Sequence, residues 1–218
     1  MSALAARAAV SGPRHEAGQM PLASDLGALA WVSEQYGARL DHLDLLLGHH
    51  RRSTQRLVRR LREAGLIEAR PVLADHPAWV WLTPAGQRLA GTGFRVWRPR
   101  VGLLAHVAAV NEVRLHIDRL APAAEWVCER ELGRTARRGE HLPDAVIALD
   151  GQRHAVEVEL TQKSQPRMIQ ILDDLSDRFD ALVYFCAPAA RRQLERLAAG
   201  GEWPKLHLRE LPPLGGAR

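Results

Sequence analysis

The chain has 218 residues, enough for one large or two small domains, and an apolar content of 46%, enough to build cores. No apolar run reaches the roughly 18 residues of a membrane-spanning helix, and neither cysteine stands at zinc-binding spacing to another. The net charge of +5 is unevenly held: residues 1–100 carry 14 Arg against 8 Asp and Glu, a net +6, and residues 101–218 carry 16 basic against 17 acidic residues, a net −1. That asymmetry points to a polyanion partner for the first half.

Residues 1–20 hold Ser, Gly, Pro and scattered charge without a sustained period, and read as a flexible tail. Met1 to Val10 lack the basic start and long apolar run of a signal peptide. A short amphipathic helix is expected over Asp25 to Tyr36, closed by Gly37. A second is expected over Leu40 to Leu47. The stretch RRSTQRLVRRLREAGL then predicts a third, with Ser53 or Thr54 at its start as the cap and Leu57, Val58 and Leu61 as the buried stripe. Gly65 ends it. Six arginines lie between positions 51 and 62, against one acid at Glu63. A charge-balanced face would show Glu–Arg pairs at i,i+4, and the helix is read as having none. His49 and His50 read as solvated loop histidines.

LIEARPVL, a tip ADHP and AWVWL read as a hairpin, and Thr83-Pro84 restarts a helix. The order of elements predicts a winged helix-turn-helix. REAGLIE and AWVWLTPAGQRLA resemble the third helix and wing of many bacterial winged-helix regulators. In that reading the DNA-binding residues are Arg51, Arg52, Ser53, Thr54, Gln55 and Arg56 at the helix start, facing base edges, with Arg59, Arg60, Arg70 and His76 on phosphates.

Gly91 to Arg100 reads as a linker. Val101 to Leu120 is a long helix with Leu104, Val107, Ala108, Leu115 and Val110 inward, and Pro122 stops it. EWVCEREL is a strand and RTARRGE a polar loop. Ser164 caps a helix bearing Met168, Ile171, Leu172 and Leu175 on one side. ALVYFCA is a buried strand, Pro188 starts another helix, and KLHLREL is the last strand. Cys128 and Cys186 fall in strands and read as buried thiols of a reducing cytoplasm. Residues 212–218 form a tail.

HLPDAVIALDGQRHAVEVELTQK, His141 to Lys163, carries the chemistry. Asp150-Gly151 is the dipeptide that a two-residue hairpin loop prefers, because both positions need positive φ. With that loop, Leu149 faces Gln152 and the same register puts Asp144 opposite Glu157, with Cβ atoms roughly 5 Å apart. Glu159 is diagonal to Asp144 on the same face. Ala145, Ile147, Leu149, Val156, Val158 and Leu160 share one face; Val146, Ala148 and Ala155 share the other with the acids. Two apolar faces mean a strand pair covered on both sides. Three carboxylates there repel one another and lose solvation. A divalent cation, Mg²⁺ or Mn²⁺, relieves both costs, so Asp144, Glu157 and Glu159 are the expected metal ligands. A solvated sheet end is the plain alternative.

Helix, three strands, helix, strand, helix, strand predicts a mixed sheet flanked by helices, an α+β or α/β domain. Pro143-Asp144 on one strand and an acid pair on the next resemble the PD-(D/E)xK nuclease superfamily. Glu159 stands at the position of that pattern's Lys, and Lys163 follows four residues later. The resemblance implies Asp144, Glu157, Glu159 and Lys163 as the catalytic set, and it offers Glu112 on the preceding helix as a weak further acid expected at the surface. HVAAVNEVRLHIDRL, WVCEREL, LPDAVIALDG, AVEVELTQKS and FDALVYFCAP, after a winged helix, resemble the replication-relaxation family of bacterial plasmids and mobile elements over about residues 22 to 200.

That resemblance implies a winged-helix DNA-binding domain over residues 21–93 and a nuclease-like domain over residues 94–211. The expected function is a cytoplasmic, nucleoid-associated, double-stranded-DNA-binding protein in plasmid replication or transfer, with a metal-dependent nicking or endonuclease site. The alternative is a non-catalytic accessory factor or regulator. Other replication or transfer proteins and a homodimer stay open as partners. A covalent tyrosine mechanism has only Tyr36 and Tyr184 to draw on, without a cluster of three metal-binding histidines.

Overall fold

A computed structural model describes residues 23–213. The tail over residues 1–20 and the larger part of the one over 212–218 lie outside them. The first half runs α1 (Ala23–Glu34), β1 (Ala38–Arg39), α2 (Leu40–Leu47), α3 (Arg51–Glu63), β2 (Ile67–Arg70), β3 (Trp79–Leu82) and α4 (Pro84–Ala90). The second half runs α5 (Val101–Leu120), β4 (Glu125–Cys128), α6 (Glu129–Leu132), β5 (Ala145–Leu149), β6 (Gln152–Glu159), α7 (Gln165–Arg178), β7 (Ala181–Cys186), α8 (Pro188–Ala198) and β8 (Leu206–Glu210). The described residues thus form a mixed α+β protein with eight helices. None of those helices is long and apolar enough to cross a membrane.

In the first half, α1, α2 and α3 close over a three-stranded antiparallel sheet of order β1-β3-β2. Leu29, Val32, Leu43, Leu57, Leu61, Ile67 and Val80 form its core. The strand β1 is not evident in the sequence, because two residues have no period. The hairpin is shorter than expected: β2 stops at Arg70 and pairing resumes at Trp79. Pro71 has no N–H to continue the ladder. Thr83 caps α4, its hydroxyl accepting from the Gly86 N–H at 3.1 Å. A Cβ on Gly86 would lie 1.9 Å from the Leu66 carbonyl oxygen, so only glycine lets α4 pack on the turn after α3.

The second half is an open five-stranded sheet of order β4-β5-β6-β7-β8, antiparallel from β4 to β6 and parallel from β6 to β8. Asp150 and Gly151 have φ of 51° and 78°, as the loop requires. The register is the expected one, Ala145 opposite Val156 through Leu149 opposite Gln152. Both faces are covered. Ala145, Ile147, Val156 and Val158 pack with Ala109, Val113 and Ile117 of α5. Val146 and Ala155 pack with Met168, Ile171, Leu172 and Leu175 of α7 and Leu194 of α8. Both cysteines are buried in strands.

EWVCEREL is not one strand. It turns at Cys128 into the single-turn α6, and the Glu129 N–H bonds the Asp144 carbonyl at 3.1 Å. The helix α5 has apolar contacts on two sides: Leu104, Val107 and Ala108 meet Trp79 and Trp81 of β3, while Ala109, Val113 and Ile117 meet the second sheet. This is why Leu115 and Val110 are only half-buried and Glu112, expected at the surface, is buried. Glu112 reaches Arg39 at 3.2 Å and His42 at 3.3 Å, joining the two halves rather than entering the acid cluster. Residues 91–100 are pinned. Arg130 bonds the carbonyls of Ser33 and Arg95, Arg134 bonds that of Thr92, and both guanidinium groups stack on Phe94.

Candidate functional site

At the end of β6 the chain gathers acids and bases into a cavity of about 420 Å³ lined by Asp144, Glu157, Glu159, Lys163, His106 and His141 among others. The four residues singled out in the sequence therefore meet. Asp144 stands one residue before β5, so its side chain bends round the sheet end. One carboxylate oxygen accepts the Val158 N–H at 2.7 Å and the other lies 2.8 Å from His106 Nε2. Glu157 lies on β6, 5% exposed, with His141 Nε2 at 2.7 Å. Glu159, 4% exposed, is ion-paired with Lys163. The chain after β6 is held at the sheet end by α8: Gln193 donates to the Lys163 carbonyl at 2.6 Å and Gln162 to that of Ala189 at 3.1 Å. His141 is placed by Arg178 of α7, which donates to its carbonyl at 2.8 Å and pairs with Glu140 and Asp174.

Burial pushes the Glu157 carboxyl up to about 7, and the neighbouring Asp144 adds to the rise; His141 and Lys163 pull the other way. Glu129, on α6, is raised by burial and by Asp144. The hydrogen bond to Asp144 raises His106. Tyr36 donates to Glu129 at 3.1 Å, and burial and that acid raise its pKa. Tyr184 is 1% exposed, with a hydroxyl lacking a partner among the described residues, and burial raises its pKa well above the ordinary value. Neither tyrosine is poised as a phenolate nucleophile.

Asp144 and Glu157 bring carboxylate oxygens, the donor type that hard divalent cations take, to one cavity. Each acid is turned to its own base, and among the described residues no group of three or more His, Cys, Asp and Glu is arranged around one point.

The second cluster is on α3. Arg51, Arg52, Gln55, Arg56 and Arg59 are exposed along it, Ser53 is half-buried, and Arg70 and His76 are exposed on the hairpin. Arg70 stacks over Trp81 at 5.3 Å. Several expectations change. The helix starts at Arg51 with His50 as its cap, accepting from the Arg52 N–H at 3.4 Å, so Ser53 and Thr54 lie inside the first turns. Thr54 is 0% exposed and therefore faces the core, not a base edge. Arg60 is half-buried and paired with Asp25 at 2.8 Å. Arg59 lies 4.0 Å from Glu63, an i,i+4 pair in the order Arg before Glu that the sequence reading leaves out. Both are about two-thirds exposed (66% and 69%), so that pair contributes little.

His106, Glu129, Glu140, His141 and Arg167 also line the pocket, and none of them carries a site signal in the sequence. His106 sits one turn into α5 at an apolar helix's polar position, which in sequence is indistinguishable from a solvated histidine. Glu129 was hidden by the strand reading of EWVCEREL.

A model of the replication-relaxation family matches residues 30–177, more than half of the chain. No curated protein and no solved structure matches.

Proposed function

The chain belongs to the replication-relaxation family, and from that membership, which ties it to the replication or relaxation of mobile elements, we propose that it binds duplex DNA through its first half and cuts one strand at the acid pocket. The division is residues 21–93 as a winged helix-turn-helix and 94–211 as a PD-(D/E)xK-like domain. The order of α1, α2, α3 and the β2–β3 hairpin supports the first. Exposed arginines on α3, with Arg51, Arg52 and Arg62 meeting no acid among the described residues, support the DNA contact. Dimers and further replication or transfer proteins belong to the same proposal.

The observation that carries the catalytic reading is the convergence of Asp144, Glu157, Glu159 and Lys163 in one cavity at the end of a hairpin covered on both faces. Lys163, four residues after Glu159, lines the same cavity, which supports it as the pattern's lysine displaced along the chain. Asp144 and Glu157, with Glu159 beside them, would hold Mg²⁺ or Mn²⁺. Such an ion supplies a better nucleophile and neutralises charge on phosphate. His106 and His141 orient the two carboxylates. Glu159 takes a proton from the attacking water and Lys163 faces the charge that builds on the phosphate.

A non-catalytic accessory role is favoured by one observation: the carboxylate of Glu159 stands where the pattern has a lysine, and it engages the lysine that would replace it. The test is conversion of supercoiled plasmid carrying the cognate site to open circle with Mn²⁺. Wild type is expected to nick and Glu157→Ala to lose nicking, with duplex affinity within about twofold because phosphate contacts lie on the first half. Nicking by Glu157→Ala at the wild-type rate would remove the pocket from the chemistry; no nicking by wild type leaves the accessory reading.

A further inference from the structure

A second cavity, of about 730 Å³, lies between the pinned segment 91–100, α1 and α5. That volume is in the roughly 300–1,000 Å³ range of small-ligand sites. Its wall is apolar and aromatic: Trp97, Val96, Leu103, Val107 and Tyr36. Val96 and Leu103 are 38% and 45% exposed, although both are large apolar side chains. Arg98 and Arg100 stand at its rim, both exposed, and neither meets an acid among the described residues.

The cavity shares lining residues with the two regions already described. Arg98 also lines a smaller cavity of about 430 Å³ with Arg70 and Trp81 of the hairpin. His106, Glu129 and Asp144 line both the large cavity and the acid pocket. The shared residues thus set the large cavity, with Trp97 and Leu103 in its wall, between Arg98 on the hairpin side and the carboxylates on the other. Its acids are not bare: Glu34 pairs with Arg114 at 2.6 Å, Asp144 with His106, and Glu129 accepts from Tyr36.

We propose that this cavity binds an unpaired stretch of DNA, its apolar wall taking a base and Arg98 and Arg100 taking the flanking phosphates, so that a strand separated from the duplex is led to the acid pocket. Aromatic surface beside a cationic track is how single strands are held without sequence preference, since every base has a π face. The inference deepens the strand-cutting reading and rests on it for its purpose, but its binding step requires neither metal nor cleavage.

The test is fluorescence anisotropy with a labelled twelve-nucleotide oligothymidine and a labelled duplex, both in EDTA. Wild type is expected to bind the oligothymidine. Arg98→Glu with Arg100→Glu, and separately Leu103→Glu, should each weaken that binding tenfold or more. Arg56→Ala with Arg59→Ala should weaken duplex binding and leave oligothymidine binding within threefold. These side chains are exposed, so the variants should melt within a few degrees of wild type. As a second measurement, an oligonucleotide carrying 5-iodouracil should photo-crosslink to Trp97 or Tyr36. Unchanged oligothymidine affinity in both cavity variants, or crosslinks only to α3, overturns the proposal while leaving the duplex reading intact. A wild-type dimer that Leu103→Glu converts to monomer, with no oligothymidine binding, overturns it too and assigns the wall to a second copy of the chain.

Discussion

The exposed face of α3 and the pocket at the end of β6 both concentrate like charge, and they handle it in opposite ways. On α3 the arginines project into water, where repulsion is weak and screened by salt, so most need no partner. Arg59–Glu63 is a loose exposed pair, and only Arg60, half-buried, has a short-range acid. In the pocket, Glu157 and Glu159 are about 95% removed from solvent (5% and 4% exposed), and each acid has its own base. Burial makes an unpaired charge costly, so charge that is tolerated bare on the helix is paired in the cavity, Asp144 with His106, Glu157 with His141 and Glu159 with Lys163. The exposed cluster is thus available to a polyanion at once, whereas the pocket must exchange a histidine or lysine contact for any ligand it takes.

The largest effect expected from this contrast is on duplex binding. Changing Arg56 and Arg59 to Ala together removes two exposed cations from α3. Affinity should fall tenfold or more at low salt, and the slope of log K against log salt should become shallower by about 1, near 0.9 for the phosphate contact of Arg59, with Arg56 lost from the base edges. A gel-shift titration at several salt concentrations reads both. Unchanged affinity and slope would break the comparison at its exposed end.

A smaller effect is expected at the buried end. Mg²⁺ or Mn²⁺ should raise the melting temperature of wild type, by roughly 5 °C at about a hundred times Kd. Asp144→Asn should reduce the shift, because it removes a charged ligand while keeping a side chain that can still bond His106. Equal shifts in wild type and variant, measured by differential scanning fluorimetry, would place the cation elsewhere.

The smallest effect sharpens the difference in desolvation. The Glu157 carboxyl is raised from an ordinary value of 4.5 to about 7 by burial. A group whose folded pKa is raised stabilises the fold fully below its unfolded pKa and loses that contribution as pH climbs through the folded one. His106 is also raised, through Asp144, and acts in the same direction at higher pH. Metal-free protein in EDTA should therefore lose stability between about pH 4.5 and 7 on account of Glu157. Glu157→Gln should flatten that part of the profile in urea unfolding. Substituting an α3 arginine such as Arg52 should not, since it is exposed. An identical slope in wild type and Glu157→Gln would mean that another group titrates there.

The sequence alone determined the features whose causes are local. The Asp150-Gly151 turn required positive φ at two adjacent residues, and that single requirement set the register that brings Glu157 opposite the end of β5. The limits of α5 followed from its apolar spacing and from Pro122, and the buried stripe of α7 from apolar spacing. Tertiary structure decided which charge meets which. Thr54 has the composition of a contact residue, yet the helix begins three residues before it and turns it into the core. His106 reaches Asp144 across 38 residues, and Arg60 reaches Asp25 across 35. Glu112 went inward because α5 is covered by both sheets. A turn or a periodicity is legible because neighbouring residues contain its whole cause. A buried ion pair between distant residues is not, because its partner is chosen by how the layers pack, and burial then makes that choice costly to leave unmade.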